Sequence, residues 1–477
     1  MAAADVDAVV VGSGPNGLAA AITLARAGRS VRVLEAAEQI GGGTRTGQLT
    51  LPGFRHDVCS AVHPLAIASP VLQALMLAEH GCEFVQPEIP LAHPLDGGYA
   101  GVLHRSITET AEGLGADAAA YRALMEPTVR DWEGIVGDTM MAPVPRIPRH
   151  PRATTRFGLL ALRPATRLAR SRFQTEAARA LFACSAAHAM QPLGQPGTAA
   201  FGLVLNMLGH AVGWPVARGG SQVIADAMAS LLRSLGGEIE TGRQVTSMAE
   251  LLGPRAVLFD VSPRLVEGIA ADALPGRYRR ALRRFRHGPG VFKIDYALSE
   301  PVPWTAEPCR RAGTVHVVGT LDELVASESA VAAGRHAERP LVLVAQQSLV
   351  DPSRAPEGKH TLWAYCHVPN DSDADMTEAI DRQLERFAPG FRDVVLARHT
   401  MNAREVEAYN PSYVGGDINS GAADLRRLVR RPSLRWAPST TPNPRLLLCG
   451  ASTPPGGGVH GICGYAAARA ALRGVLK

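Results

Sequence analysis

Four residues near the start of the chain have the types and spacing to hold a dinucleotide. Gly12, Gly14 and Gly17 form a G-x-G-x-x-G run, with Ser13, Pro15 and Asn16 between them, and Glu35 stands eighteen positions after Gly17, followed by Ala36. In this arrangement the first glycine permits a tight turn and the second lets backbone approach a diphosphate. The third lets a helix pack closely on a strand, and a carboxylate about 20 positions on accepts hydrogen bonds from a ribose diol. An acid rather than an arginine at that place favours a free 2′-hydroxyl, hence FAD or NAD over NADP.

The flanking segments are those needed to position such a site. Asp7 to Val11 is a short β-branched run suited to a buried parallel strand, Leu18 to Ala27 is an Ala-rich helix that Gly28 can end, and Ser30 to Leu34 is the next strand. The order strand, loop, helix, strand and acid separates this run from glycines spaced by chance. The helix N-terminus supplies amides and a dipole suited to phosphate.

The C-terminal stretch repeats the logic. Arg445 to Cys449 reads as a buried strand, and GASTPPGGGVHGICGYAAARAAL follows, with a loop at Gly456 to Gly458 and a helix over Gly461 to Leu472. A reduced flavin carries negative charge near N1 and O2, which a helix N-terminus stabilises. A simple NAD domain has no use for such a second site.

Between these ends lies a second glycine run, Gly41 to Gly43, followed by Thr44 and Arg45, just downstream of the ribose acid. With it the chain resembles the flavin-binding amine oxidase and phytoene desaturase superfamily. Within that superfamily it is most similar to the phytoene dehydrogenase-related branch named after pyridine nucleotide–disulfide oxidoreductases. The resemblance implies that Gly42, Gly43, Thr44 and Arg45 contact FAD, although Gly43 stands where many relatives carry arginine. It also implies that Val245 gives backbone contacts to adenine, that Gly450 lies near the phosphate–ribityl chain, and that Gly458, Val459 and His460 lie beside the flavin ring. The segment Arg218 to Thr246 has the family's Gly-Gly, helix, Gly-Gly order, with strands expected at Glu238 to Glu240, Gln244 to Met248 and Ala256 to Val261. Little room remains after Val245 for the hairpin many relatives insert.

Composition adds exclusions. The 477 residues carry 49 Lys+Arg against 44 Asp+Glu, a net charge of +5, which gives no electrostatic footprint for nucleic acid. Seven scattered cysteines without a C-x-x-C argue against a disulfide framework or redox dithiol, and give no metal-ligand spacing. A cytoplasmic protein is expected, with no signal peptide and no run of roughly 18 apolar residues. The arginines are concentrated: Arg146, Arg149, Arg152, Arg156, Arg163, Arg167, Arg170 and Arg172 come without an intervening acid and with Phe157, Leu159, Leu160, Leu162 and Leu168 among them. Such a segment suits peripheral contact with an anionic membrane, a solvated face, or a self-association surface in a homo-oligomer.

An α/β architecture follows: a Rossmann-like FAD-binding domain of the glutathione reductase type, interleaved with an α+β substrate domain holding a mixed sheet and a helical part. The FAD-binding domain is assigned to 1–70, 200–265 and 400–477, and the substrate domain to 71–199 and 266–399. Helices are expected at Ala111 to Trp132, Thr175 to Met190 and Glu378 to Phe387. Short strands are expected at Thr46 to Leu51 and Phe54 to Val58 around Pro52-Gly53. The mixed sheet takes Val291 to Leu298, Thr314 to Gly319, Leu341 to Gln346, Thr361 to His367 and Val394 to His399.

The expected activity is that of an FAD-dependent oxidoreductase, a dehydrogenase or desaturase moving hydride from an apolar, isoprenoid or lipid-like substrate to flavin N5. Oxygen or a quinone takes the electrons. Amine or alcohol oxidation on the same scaffold is the alternative chemistry, and non-catalytic binding of a prenylated partner the alternative of another class. Candidate proton acceptors are His460, His63 and, on a loose family match, Lys293 beside Asp295.

Overall fold

A computed structural model describes residues 6–141, 147–425, 431–433 and 435–477. Two sheets organise it, and both are built from segments far apart in the chain. The first is five-stranded and parallel: β1 (Ala8–Val11), β2 (Val31–Leu34), β9 (Glu238–Glu240), β10 (Ala256–Phe259) and β16 (Leu446–Leu448), in the order β16-β10-β1-β2-β9. Its central strands are continuous apolar runs buried on both faces, as parallel sheets require; Val9 stands beside Val257 on one side and Arg32 on the other. Helices Pro15–Arg26, Gln222–Ser234 and Ile462–Arg473 cover it. The first and last of these meet at unusually close range, because a Cβ on Gly464 would lie 1.8 Å from the carbonyl oxygen of Asn16. The C-terminal helix is thereby fixed against the glycine loop.

The second sheet has seven strands: β6 (Ile89–Leu95), β7 (Tyr99–Leu103), β11 (Gly290–Leu298), β12 (Ala312–Val317), β13 (Val342–Ala345), β14 (His360–Val368) and β15 (Val395–Met401). Their order is β15-β11-β14-β13-β12-β6-β7, antiparallel except for β12 beside β6. Strand alternation gives this sheet two unlike faces. Phe292, Ile294, Tyr296, Val315, Val344 and Ala364 pack into one apolar core. Cross-strand register puts Lys293 opposite Tyr365, Asp295 opposite Trp363, His316 opposite Leu343 and Thr314 opposite Ala345 on the other face. That face is polar and aromatic, and it looks onto the helical part of the molecule. Two ladders complete the set: β3 (Thr46–Gly47) with β4 (His56–Asp57), and β5 (Phe84–Val85) with β8 (Val216–Ala217).

Several expectations change. The strands expected at Thr46 to Leu51 and Phe54 to Val58 shrink to two residues each, since Gly53 at φ +85° and its N–H bond to Gln48 Oε1 open a wide loop. Gln244 to Met248 is not a strand: Ser247 instead caps a 3-10 turn, Met248–Leu251, through a reciprocal bond with Glu250. The helix expected over Ala111 to Trp132 is broken into Ile107–Gly113, Ala118–Arg130 and Trp132–Thr139. The first break falls at Gly115 (φ +55°) and Asp117, whose carboxylate accepts the amides of Gln174 and Thr175, and the second at Asp131. The hairpin β6–β7, turned by Asp96-Gly97-Gly98, is not among the expected strands.

Within the arginine-rich segment, Arg146 lies outside the described residues. The remainder forms helices Pro151–Ala161 and Ala165–Arg172. No helix among the described residues is long and apolar enough to cross a membrane.

Candidate functional site

One cavity of about 1340 Å³ lies between the two sheets. Its walls run from the glycine loop, through Glu35, Gly42 to Arg45 and Val245, to Thr314, Leu343, Trp363 and Tyr365 on the seven-stranded sheet. The C-terminal loop contributes Gly450, Gly457, Gly458 and Val459. Residues distant in sequence thus share one chamber, and of the cofactor residues expected from sequence only Gly17 and His460 are not on its wall.

The glycine loop is shaped by a residue that sequence reading passed over. Asp260 directly follows β10 beside Gly12, and its Oδ2 accepts the Gly17 N–H at 2.8 Å. A Cβ on Gly17 would lie 2.2 Å from the Gly12 carbonyl oxygen, and one on Gly14 would lie 2.7 Å from Asp260 Oδ2. Gly17 therefore supports the loop from beneath. Asp260 itself is half-buried with its open side on the cavity, and burial, with Glu35 nearby, pushes its carboxyl up to about 8. The signal in the sequence was an acid at the carboxyl end of a parallel strand.

The helix starting at Pro15 has no side-chain cap and no acid in its first turn. Asn16 Oδ1 is buried without a partner among the described residues. This N-terminus, with its Gly17 amide held by Asp260 and its first residues on the cavity wall among glycine backbone, fits a diphosphate. Glu35 is held ready: Oε2 accepts the Ser13 N–H and Oγ–H at 2.9 and 2.5 Å, and Oε1 accepts the Ala37 N–H and an Arg45 guanidinium N–H at 3.0 and 3.1 Å. Arg45, expected to contact FAD, is thus bound to Glu35, and its guanidinium also lies 5.4 Å from the Tyr409 ring centre. The glycine at 43 has a local reason: a Cβ there would lie 2.1 Å from the Tyr413 hydroxyl. An arginine at this position would need Tyr413 to move.

The three expected proton acceptors differ in what they can do. His460 is fully buried; Nε2 bonds the Gly456 carbonyl at 3.1 Å and Nδ1 accepts the Ile462 N–H at 3.1 Å. With both nitrogens committed, it braces the Gly456–Gly458 loop and cannot also take a proton from a substrate. Lys293 forms a buried ion pair with Asp295, 5.9 Å from the Trp363 ring centre and behind the cavity wall. Its charge is spent on that carboxylate, and it does not line the cavity.

His63 does line it. Ser221 donates its hydroxyl to the Ser60 carbonyl at 2.7 Å, so its lone pairs receive Nε2–H of His63 at 2.9 Å, and Nδ1 is left bare and without a partner among the described residues. Burial lowers this imidazole to about 4, which keeps it neutral. Behind it Ser221 N–H bonds Asp57 Oδ1 at 2.7 Å, and Asp57 and Asp351 hold the fully buried Arg354 at 2.9 and 2.8 Å. The far end of the cavity is apolar, with Phe157, Phe201, Val204, Leu205, Met190 and Trp214 on its wall.

Comparison with known proteins agrees with this geometry. Residues 16–472 match the family model described as flavin containing amine oxidoreductase. A mouse protein named pyridine nucleotide-disulfide oxidoreductase domain-containing protein 2 is 26% identical over 557 residues, covering 98% of this chain and 94% of its own. Among solved structures, an oxidoreductase from Methanosarcina mazei has the same fold with a TM-score of 0.64 at 16% identity, covering 98% of this chain and 99% of that one. Cyclohexylamine oxidase from Brevibacterium oxydans has a TM-score of 0.58 at 16% identity, covering 98% of each. The chain belongs to the flavin-containing amine oxidoreductase family and is an FAD-dependent oxidoreductase.

Proposed function

We propose that this chain takes a hydride from a C–H bond of an apolar substrate, as a dehydrogenase or desaturase. The observation that carries the reading is the apolar end of the cavity, which joins without a partition to the glycine-lined end. FAD, when bound, supplies the hydride acceptor at its N5. Gly12, Ser13, Gly14, Pro15 and Asn16 would hold its diphosphate, and Glu35, set by Ser13 and Arg45, its adenosine ribose. Val245 would face the adenine, and Gly42 to Arg45, Gly450, Gly458 and Val459 the remainder of the cofactor.

The protein's own part is to exclude water, orient the substrate carbon and manage one proton. Of the three expected proton acceptors, His63 is the one on the cavity wall, and it stays neutral well below pH 7, which suits it to receive that proton. Oxygen or a quinone is the expected electron acceptor. The test is anaerobic mixing of the flavin-loaded protein with long-chain isoprenoid, lipid and amine compounds. Bleaching by apolar compounds supports the reading, and bleaching by small amines alone replaces it with amine oxidation.

The same reading takes the substrate from an anionic membrane surface. Helix Pro151–Ala161 has Phe157 on the cavity and Leu159 69% exposed; Leu162, just beyond it, is 57% exposed. Arg152, Arg167 and Arg172 are exposed nearby, so one helix separates the chamber from an outer face that suits lipid headgroups and acyl chains. Sedimentation with vesicles containing phosphatidylserine, lost in a Leu159→Ser, Leu162→Ser variant, supports this. Equal sedimentation of both proteins contradicts it.

A further inference from the structure

The apolar end of the cavity contains a pair of histidines that hydride transfer does not require. His188 follows helix Glu176–Ala187 and lines the cavity, while His316 lies on β12 and is fully buried. Their Nε2 atoms are 3.3 Å apart and their ring centres 5.3 Å apart. Burial holds both rings neutral, His188 down at about 3 and His316 well below its ordinary value. Two neutral imidazoles facing each other through Nε2 share one proton, so one ring must be the Nε2–H tautomer and the other the Nδ1–H tautomer.

The surroundings decide which is which. His316 Nδ1 is buried and has no partner among the described residues. An N–H sealed there would be an orphaned donor, a rarer and costlier state than a bare ring nitrogen. His316 is therefore the Nε2–H donor, and His188 accepts at Nε2 and carries its hydrogen on Nδ1. No protein group among the described residues takes that hydrogen, and His188 is half-buried against the cavity. The ring is held in place by Trp214, edge-on at 6.3 Å and 88°, whose own Nε1–H goes to the Leu205 carbonyl. Asn419 donates to the His188 carbonyl at 3.3 Å. Thr314, two residues before His316 on the same sheet face, adds a polar atom, Oγ1, that is buried and without a partner among the described residues.

Acids do not balance these donors. Asp138, the carboxylate at this end of the cavity, is committed to the Arg149 and His150 amides and the Thr154 hydroxyl. Glu328 is paired with His367 behind the sheet face.

We propose that His188 anchors the substrate by donating its Nδ1–H to an oxygen acceptor, so that the substrate class is an apolar molecule bearing a carbonyl, hydroxyl or ether oxygen rather than an ammonium. This rests on the proposed function, in which this end of the cavity receives the substrate. The relay from His316 fixes the direction of the bond.

The test titrates the flavin-loaded protein with octane, 2-octanone and octylammonium, following the flavin absorbance and tryptophan fluorescence. One neutral hydrogen bond is worth about 1 kcal/mol, so 2-octanone is expected to bind about 5-fold tighter than octane. His188→Phe should remove that preference and leave octane binding unchanged, and His188→Gln, which keeps a donor, should restore part of it. His188→Met replaces the Phe variant where that variant does not fold. A preference that survives in the donor-free variants overturns the anchor, as does octylammonium binding tightest or 2-octanone no better than octane. A protein that takes up no FAD contradicts the function reading instead; tryptophan fluorescence then still reads the ketone preference.

Discussion

Asp260 Oδ2 accepts the backbone N–H of Gly17 at 2.8 Å, which places a carboxyl group without a cation against the glycine loop expected to hold a diphosphate. A bound diphosphate would bring further negative charge to a group that already resists ionisation. The proton that Asp260 keeps in the folded protein therefore matters to cofactor affinity.

The sign of the pH effect follows. Asp260 keeps its proton in the folded apoprotein up to about pH 8, whereas the unfolded chain releases it near 4. Its contribution to stability is present below pH 4 and is lost as pH rises through 8. FAD affinity should weaken over the upper part of that window. Asp260→Asn should flatten both dependences, read by thermal melts of the apoprotein and by equilibrium FAD binding between pH 6 and pH 9. An unchanged pH dependence in the variant rules this role out.

Gly17→Ala should abolish stable FAD retention and lower the melting temperature. The added Cβ would sit 2.2 Å from the Gly12 carbonyl oxygen, a contact the loop can relieve only by moving. Gly28→Ala is the control, because nothing lies within 4 Å of a Cβ there, although its φ of +73° adds local strain. Flavin content after gel filtration separates the two: normal in the control, lost in the loop variant.

Arg354→Met should destabilise the fold by about 3–5 kcal/mol, the cost of stranding buried charges when one partner is removed. It leaves Asp57 and Asp351 without their shared cation, and Asp57 in turn supports Ser221 and His63. Denaturant unfolding measures the loss. A change below 1 kcal/mol would mean the network is dispensable.

Acid should unfold the protein early. His63, His93, His210 and His460 are each lowered to about 4 by burial, so the folded form keeps them neutral where the unfolded chain takes protons near pH 6.5. Stability is therefore present above pH 6.5 and falls as pH drops towards 4. Melting temperature measured from pH 7 to pH 4 should decline steeply, and a flat profile would contradict the buried-neutral assignment.

The cofactor half of the molecule was legible because its geometry is written locally. Gly12 to Glu35 is one continuous βαβ unit, and strand β16 with the following loop and helix is another short stretch whose spacing carries its own meaning. The chemistry at the other end depends on register across strands far apart in sequence. Nothing local says that Lys293 and Asp295 are sealed behind Trp363, or that His63 is set on the cavity wall by Ser221. His188 and His316 meet only because a helix end is laid over β12. Asp260 directly follows β10, a strand expected from the sequence, but its importance comes from the glycines it touches rather than from its own neighbours in the chain.

The most direct measurement is the cofactor released on denaturing the purified protein, identified and counted against the chain. FAD is expected, close to one per chain, reduced by dithionite before release and lost in Gly17→Ala. A protein that carries no flavin and takes up none from added FAD would contradict it.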